Sequence, residues 1–277
     1  MRKHTYLGIR PGDLDGKPYA KYWKPDMAPV QPEVKSALCH GVEASELGFD
    51  LAEADQLLDS GYLALENGYT RLDSGEIFVA VLTRMPRVTG KMIDWWFGWH
   101  YLENERYKLW HPRSHIANGA ARMVSDTPGL SDREKYLNNP NYVTEYIGSE
   151  KQDITITFAE PAAYFDTTRF ESARVPTVIC GSVSLQKFPL QIGTLIHLIR
   201  ETDDGCEMRS RFWLGRPRLN TLSKENPVNR LLASRFIARQ AAPLSLGRDM
   251  VVHCAMEMHH LAGFLPDLYA DYHPDVI

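Results

Sequence analysis

The sequence has few cysteines, no long apolar run and no excess of positive charge, and each shortage removes a class of function. Among its 277 residues only Cys39, Cys180, Cys206 and Cys254 are thiols, and no two form a C-x-x-C pair. Zinc-ribbon and thioredoxin-like motifs are therefore missing, and the four read as buried thiols in a reducing compartment. No apolar stretch approaches the roughly 20 residues that span a bilayer. The opening MRKHTYLGIRPGDLDG has no apolar stretch of a secretory signal, so a soluble cytoplasmic protein is expected. Lysine and arginine total 31 against 35 acidic residues, a net charge of −4, and no basic run stands out. Neither nucleic acid nor an anionic membrane is an expected partner. G-x-S-x-G, the P-loop and H-E-x-x-H are all missing.

What is present is an ordinary globular composition, 44% hydrophobic and 24% charged, which allows a sizeable core, together with ten histidines. Residues 1–30 are rich in proline, glycine and tyrosine and read as an irregular arm. Short helices are predicted near Pro32–Cys39 and in DLAEADQLLDSG, ending at Gly61. EIFVAVLTRM reads as a strand. TGKMIDWWFGWHYL places Trp95, Trp96 and Trp99 at helical spacing. Strands are then predicted in NERYKLWHP, YVTEYIG, DITITFA, PTVICGSVSL, GTLIHLIRE and CEMRSRFWLG, with TDDG closing a hairpin between the last two. After Pro217 the pattern turns helical, in NPVNRLLASRFIARQ and SLGRDMVVHCAMEMHHLAGF. Segregated runs of this kind argue α+β. A curved antiparallel sheet around a long C-terminal helix, the helix-grip architecture, leaves a cavity suited to an apolar ligand.

The candidate chemistry lies in four segments. On the closing helix His253, Glu257 and His260 follow at i, i+4 and i+7 and share a face with Leu246, Met250, Leu261 and Phe264. This is either half of a metal site or a polar stripe turned to solvent. On YVTEYIG, alternation puts Glu145 between Val143 and Ile147, pointing inward or at the sheet edge. In GTLIHLIRE, His197 lies between Leu195 and Ile199, as a satisfied core histidine also would. Across the hairpin Met208, Ser210, Phe212 and Leu214 line one face, and Glu207, Arg209, Arg211 and Trp213 the other. Finally, RYKLWHPRSHIANGAARM holds Tyr107, His111, His115 and Asn118, which suits a pocket rim or an ordinary structured loop.

At WHPRSHIAN, the glutamate of VTEYIG, the histidine of LIHLIRE, and HCAMEMHH, the sequence resembles the 2,4-diacetylphloroglucinol hydrolases and their relative phloretin hydrolase. The resemblance runs over most of the chain, from the YLGIRPGDLDGKPYAKYW arm to the last helix. It implies a Bet v-like (START-like) helix-grip catalytic domain over 76–277. Residues 1–75 would form an arm and helical region that takes part in a homodimer. It further implies one Zn2+ per chain held by His115, Glu145, His253 and Glu257, with Tyr107, Asn118 and His197 around a small aromatic acyl-phenol substrate. The family pattern has a tyrosine where this chain has Phe212. The implied reaction cleaves the carbon–carbon bond between an acyl group and a phloroglucinol ring, with His197 as helper base. In 2,4-diacetylphloroglucinol it would yield monoacetylphloroglucinol and acetate. Phe212 keeps another acyl phenol open as substrate. A non-enzymatic carrier is the alternative from another class, although a carrier gains nothing from burying carboxylates. His111, His259 and His260 receive no role.

Overall fold

The computed structural model describes residues 5–273. Eight strands form one antiparallel sheet: β1 Gly68–Arg71, β2 Ile77–Pro86, β3 His115–Ala120, β4 Asn141–Ile147, β5 Glu150–Ala159, β6 Thr177–Leu185, β7 Leu190–Glu201 and β8 Gly205–Leu219. Their order across the sheet is β1-β2-β8-β7-β6-β5-β4-β3. The helices are α1 Pro32–His40, α2 Gly90–Trp99, α3 Asn104–Trp110, α4 Asp132–Tyr136, α5 Pro227–Leu232, α6 Arg235–Ala241, α7 Leu244–Ala262 and α8 Leu265–Tyr272. The architecture is the expected α+β helix grip, with α7 packed on the sheet. None of the described helices is long and apolar enough to cross a membrane.

Both faces of the central strands are buried, and alternation sorts their side chains between two cores. Ile77, Val79 and Val81 of β2, Leu195 and Ile199 of β7, and Met208, Phe212 and Leu214 of β8 join Val251, Cys254 and Met258 of α7. Their neighbours Phe78, Ala80, Ile196, Leu198 and Trp213 point the other way, onto Phe49, Leu57, Leu58 and Leu65. A 3-10 helix over Leu51–Leu58 thus covers the outer face. Arg209 and Arg211 are buried there because Glu66 takes both guanidiniums, Arg211 at 2.6 Å, while Arg209 also donates to the Leu57 carbonyl at 2.7 Å. Burial alone would raise the Glu66 carboxyl; Arg211 and Arg209 hold it below the usual carboxylate range.

Close approach fixes where α7 lies. A Cβ on Gly247 would come within 2.8 Å of Ile77 and Tyr69, so only glycine lets the first turn of α7 settle on β1 and β2. Two histidines near the other end of α7 hold the arm. The Ala28 amide donates to His260 Nδ1 at 3.1 Å, and His259 Nδ1 donates to the Pro29 carbonyl at 2.6 Å.

Three expectations need correction. NERYKLWHP is the helix α3, not a strand. Six of its seven residues are buried, polar Asn104, Glu105 and Lys108 among them, so the run carries no decisive hydrophobic period. NPVNRLLASRFIARQ is not one helix but α5 and α6, broken where Ser234 turns extended. Cys39 is exposed, whereas the other three free cysteines are buried as expected.

Glu66→Ala leaves two buried guanidiniums without their carboxylate and should cost about 3–5 kcal/mol in denaturant unfolding. Because the folded-state pKa of Glu66 is depressed, its contribution is present above the unfolded carboxylate value. It is lost as pH falls through the lower folded value, so the gap between wild type and Glu66→Ala should narrow toward acid.

Candidate metal centre and cavity

Four elements carry the site: α3, β3, β4 and α7. His115 opens β3 directly opposite Glu145 of β4, and a bulge between His115 and Ala117 follows. The bulge decides which side chains look inward. His115 and Asn118 are three apart and would point to opposite faces of a regular strand. With one extra residue inserted, both register against inward-facing positions, His115 against Glu145 and Asn118 against Val143. From the helix side, His253 and Glu257 reach the same place one turn apart.

His115, His253 and Glu257 form a buried group able to hold a metal ion. Nε2 of His115 lies 3.4 Å from Glu257 Oε2 and 3.5 Å from Glu145 Oε2; Nε2 of His253 lies 3.5 Å and 3.8 Å from the same two oxygens. An ion with bonds of about 2.0–2.2 Å to tetrahedral ligands separates them by roughly 3.3–3.6 Å, so the spacings of Glu257 from His115 and His253 fit one cation, while Glu145 is in that range from His115 and beyond it from His253. The donor chemistry fits too. His115 Nδ1 donates to the Tyr107 carbonyl at 2.9 Å, which leaves Nε2 as a lone pair, and that buried atom has no hydrogen-bond partner. The Tyr107 ring lies flat on the His115 ring, with centroids 3.7 Å apart and planes 7° apart, and its hydroxyl donates to Glu145 Oε2.

The groups of the cluster shift one another's proton affinity. Burial alone would raise Glu257, but His253 and His115 pull it well below the carboxylate range. Burial lowers His253 while Glu257 and Glu145 raise it, and the carboxylates win. His111 stacks on His253 at 4.9 Å and is pushed down to about 2 by burial and by the two neighbouring imidazoles. It braces a candidate ligand instead of joining the cluster. His260, on the same stripe of α7, rises a further ~10 Å along the axis from His253 and serves the arm.

Beside the cluster lies a cavity of about 90 Å3, walled by Phe97, Phe158, Leu195, Phe212, Leu214 and Met250. Tyr107, Glu145, His253 and Glu257 reach it from the cluster side, and His197, His100 and Asn141 are its other polar lining. His197 pairs in register with Ser210, and its Nδ1 lies 2.8 Å from Ser210 Oγ. Burial takes the His197 imidazole down to about 4. Asn118 sits beside Val143, just behind the cavity wall, with both amide atoms buried and unpaired.

A family model described as the DAPG hydrolase PhiG domain matches residues 47–270. The chain belongs to this DAPG hydrolase family. It is 30% identical over 264 residues to the 2,4-diacetylphloroglucinol hydrolase of Pseudomonas protegens, covering 92% of this chain and 85% of that one. A Pseudomonas sp 2,4-diacetylphloroglucinol hydrolase is also 30% identical, with 88% of its length covered. The phloretin hydrolase of Eubacterium ramulus is 28% identical over 262 residues, covering 91% and 89% of the two chains. The matched region takes in every strand of the sheet and all of α7.

For this DAPG hydrolase family member, the structure brings His115, Glu145, His253, Glu257, Tyr107, His197 and Phe212 around one space. Sequence reasoning passed over His100 and Asn141. His100 was legible only as one more residue of an aromatic helix. Asn141 precedes the quoted strand, and its Oδ1 is buried and unpaired.

Since the carboxylates raise His253, a metal must displace its proton, and affinity should climb with pH. Titration of the metal-free protein with Zn2+ should show proton release and tighter binding at pH 8 than at pH 6. Glu257→Gln should weaken binding by more than about a hundredfold, beyond the loss typical of residues that only orient a ligand.

Proposed function

We propose that the protein is a zinc-dependent hydrolase that cleaves the carbon–carbon bond between an acyl group and a phloroglucinol ring. Its substrate in this reading is a one-ring acylphloroglucinol such as 2,4-diacetylphloroglucinol, which with water gives monoacetylphloroglucinol and acetate. The observation that carries the reading is the buried pair Glu145 and Glu257 set between two imidazoles at the end of an apolar cavity. Buried carboxylates are costly even when paired, and a ligand carrier gains nothing from them. Glu145 is the fourth ligand, and one ion binds per chain. Bound zinc would supply Lewis-acid polarisation of the acyl oxygen and acidify water. Two carboxylates offset its charge, so the protein must contribute a base.

His197 is that base. It is neutral at neutral pH and faces the cavity. With Nδ1–H donated to Ser210 Oγ, Nε2 keeps its lone pair, so His197 can take a proton from water there and return it to the ring carbon. Protonating that carbon, through the keto tautomer of the phenol, lets the ring leave without becoming a free carbanion. Tyr107, whose proton is held by Glu145, offers its oxygen to a substrate hydroxyl. Asn118 stands outside the cavity lining, so its buried amide does not meet the substrate in this geometry. At about 90 Å3, less than the ~150 Å3 engineered site that takes benzene, the cavity must widen for either substrate, so its volume does not choose between one ring and two. A second reading, hydrolysis of a two-ring acyl phenol of the phloretin type, is supported by Phe212. Its ring stands edge-on to His197 at 5.6 Å and adds apolar wall where a tyrosine would add a hydroxyl.

The test is metal content and acetate release from 2,4-diacetylphloroglucinol before chelation, after chelation and after zinc is restored. About one zinc per chain with recoverable activity is expected. His197→Ala should keep its zinc and lose roughly a hundredfold or more in kcat; full activity would remove His197 from the mechanism. Faster turnover of phloretin than of the one-ring substrate would establish the second reading.

A further inference from the structure

His100 is a buried histidine at the C-terminus of α2 whose presence the chemistry above does not explain. It lines the cavity and is 4% exposed. Its Nδ1 lies 2.8 Å from the Trp96 carbonyl. A carbonyl can only accept, so Nδ1 carries the proton and Nε2 is a lone pair. Among the described residues Nε2 has no protein partner, yet it is not one of the sealed, unpaired atoms such as His115 Nε2. It therefore opens onto the cavity. Aromatic neighbours fix the ring in place: Trp96 stacks on it at 5.4 Å and 16°, Trp110 meets it edge-on at 5.4 Å, and Phe97 edge-on at 5.7 Å.

We propose that His100 is a substrate-binding residue whose Nε2 accepts a hydrogen bond from a ring hydroxyl, so that the cavity holds two hydroxyl-reading imidazoles, His100 and His197. This rests on the reading of the cavity as an acyl-phenol site and narrows it: the ligand carries at least two ring hydroxyls. The two histidines divide the work. His197 can invert its tautomer through Ser210, whereas His100 cannot, because the Trp96 carbonyl holds its proton in place. His100 thus anchors the ring through a donor and excludes analogues lacking one, since their binding would leave its lone pair buried and unpaired. Burial also keeps the ring neutral, pulling it down to about 4 against the opposing pull of the Trp96 carbonyl.

The experiment is equilibrium binding of benzene-1,3,5-triol, benzene-1,3-diol and phenol to the zinc-loaded protein, read by tryptophan fluorescence. Wild type should lose roughly five- to hundredfold in affinity between the diol and phenol, the cost of one unmet buried acceptor. His100→Phe keeps an aromatic ring against Trp96 and should flatten that step. His100→Gln, which retains an acceptor oxygen, should restore much of it. If the phenylalanine variant does not fold, His100→Leu reads the same ratio. An unchanged diol-to-phenol ratio in the variants would make His100 a packing residue and leave the hydrolase reading intact. A wild type that binds none of the three while holding its zinc would overturn the acyl-phenol reading and this inference with it.

Discussion

Two buried carboxylates, each 3.4–3.8 Å from the same two buried imidazoles, are the constraint on which the rest of this molecule turns. Such a cluster is held either by a proton on an imidazole or by a cation among its ligands, and it comes from elements far apart in the chain. Each device that brings them together has an identifiable cause. The β3 bulge turns His115 inward without turning Asn118 out. The absent side chain at Gly247 lets α7 settle on β1 and β2. The helical period then places His253 and Glu257 on the same stripe. A bound ion would join sheet to helix, so its affinity would be folding energy as well as catalytic potential.

The sheet could not hold this position with one face in water. Its central strands are apolar on both sides, and Leu51–Leu58 with its flanking loops forms the second cover. That cover is not purely apolar. Arg209 and Arg211 stand on β8 directly behind Ser210, the hydroxyl that serves His197, and Glu66 neutralises both. The strand that positions the proposed base is therefore held by an ion triad on its outer face. Damage to Glu66 would reach the cavity through β8.

Much of the site was legible because it obeys simple periods. Glu145 between Val143 and Ile147, and His197 between Leu195 and Ile199, follow two-residue alternation, and all six are buried. The TDDG turn placed His197 opposite Ser210. His253 and Glu257 follow the helix. What could not be read breaks those periods or depends on distant neighbours. The bulge that aligns His115 has no signature in HIANGA. Helix α3 reads as a strand because it buries Asn104, Glu105 and Lys108 beside Tyr107, Leu109 and Trp110, which blurs the hydrophobic period. The outer cover of the sheet, and the arm held by His259 and His260, depend on residues more than a hundred positions apart. The proposed set of four ligands comes from the family resemblance; spacing alone favours a solvated or self-paired helix face.

His100 and His197 show how little separates two functions for one residue type. Both are buried imidazoles on the same cavity, both are drawn down to about 4 by burial, and both have Nδ1 tied to an oxygen at 2.8 Å. The difference is the oxygen. A backbone carbonyl accepts and cannot donate, which freezes one tautomer and makes the other nitrogen a permanent acceptor. A serine hydroxyl does both, which leaves the tautomer free to follow the proton. The first suits recognition, where a fixed lone pair must reject the wrong ligand. The second leaves either tautomer open; the catalytic role proposed for His197 rests on its place in the cavity, because a nitrogen that takes and returns a proton needs no change of tautomer. Side-chain chemistry and burial do not distinguish the two histidines here; the atom behind each ring does.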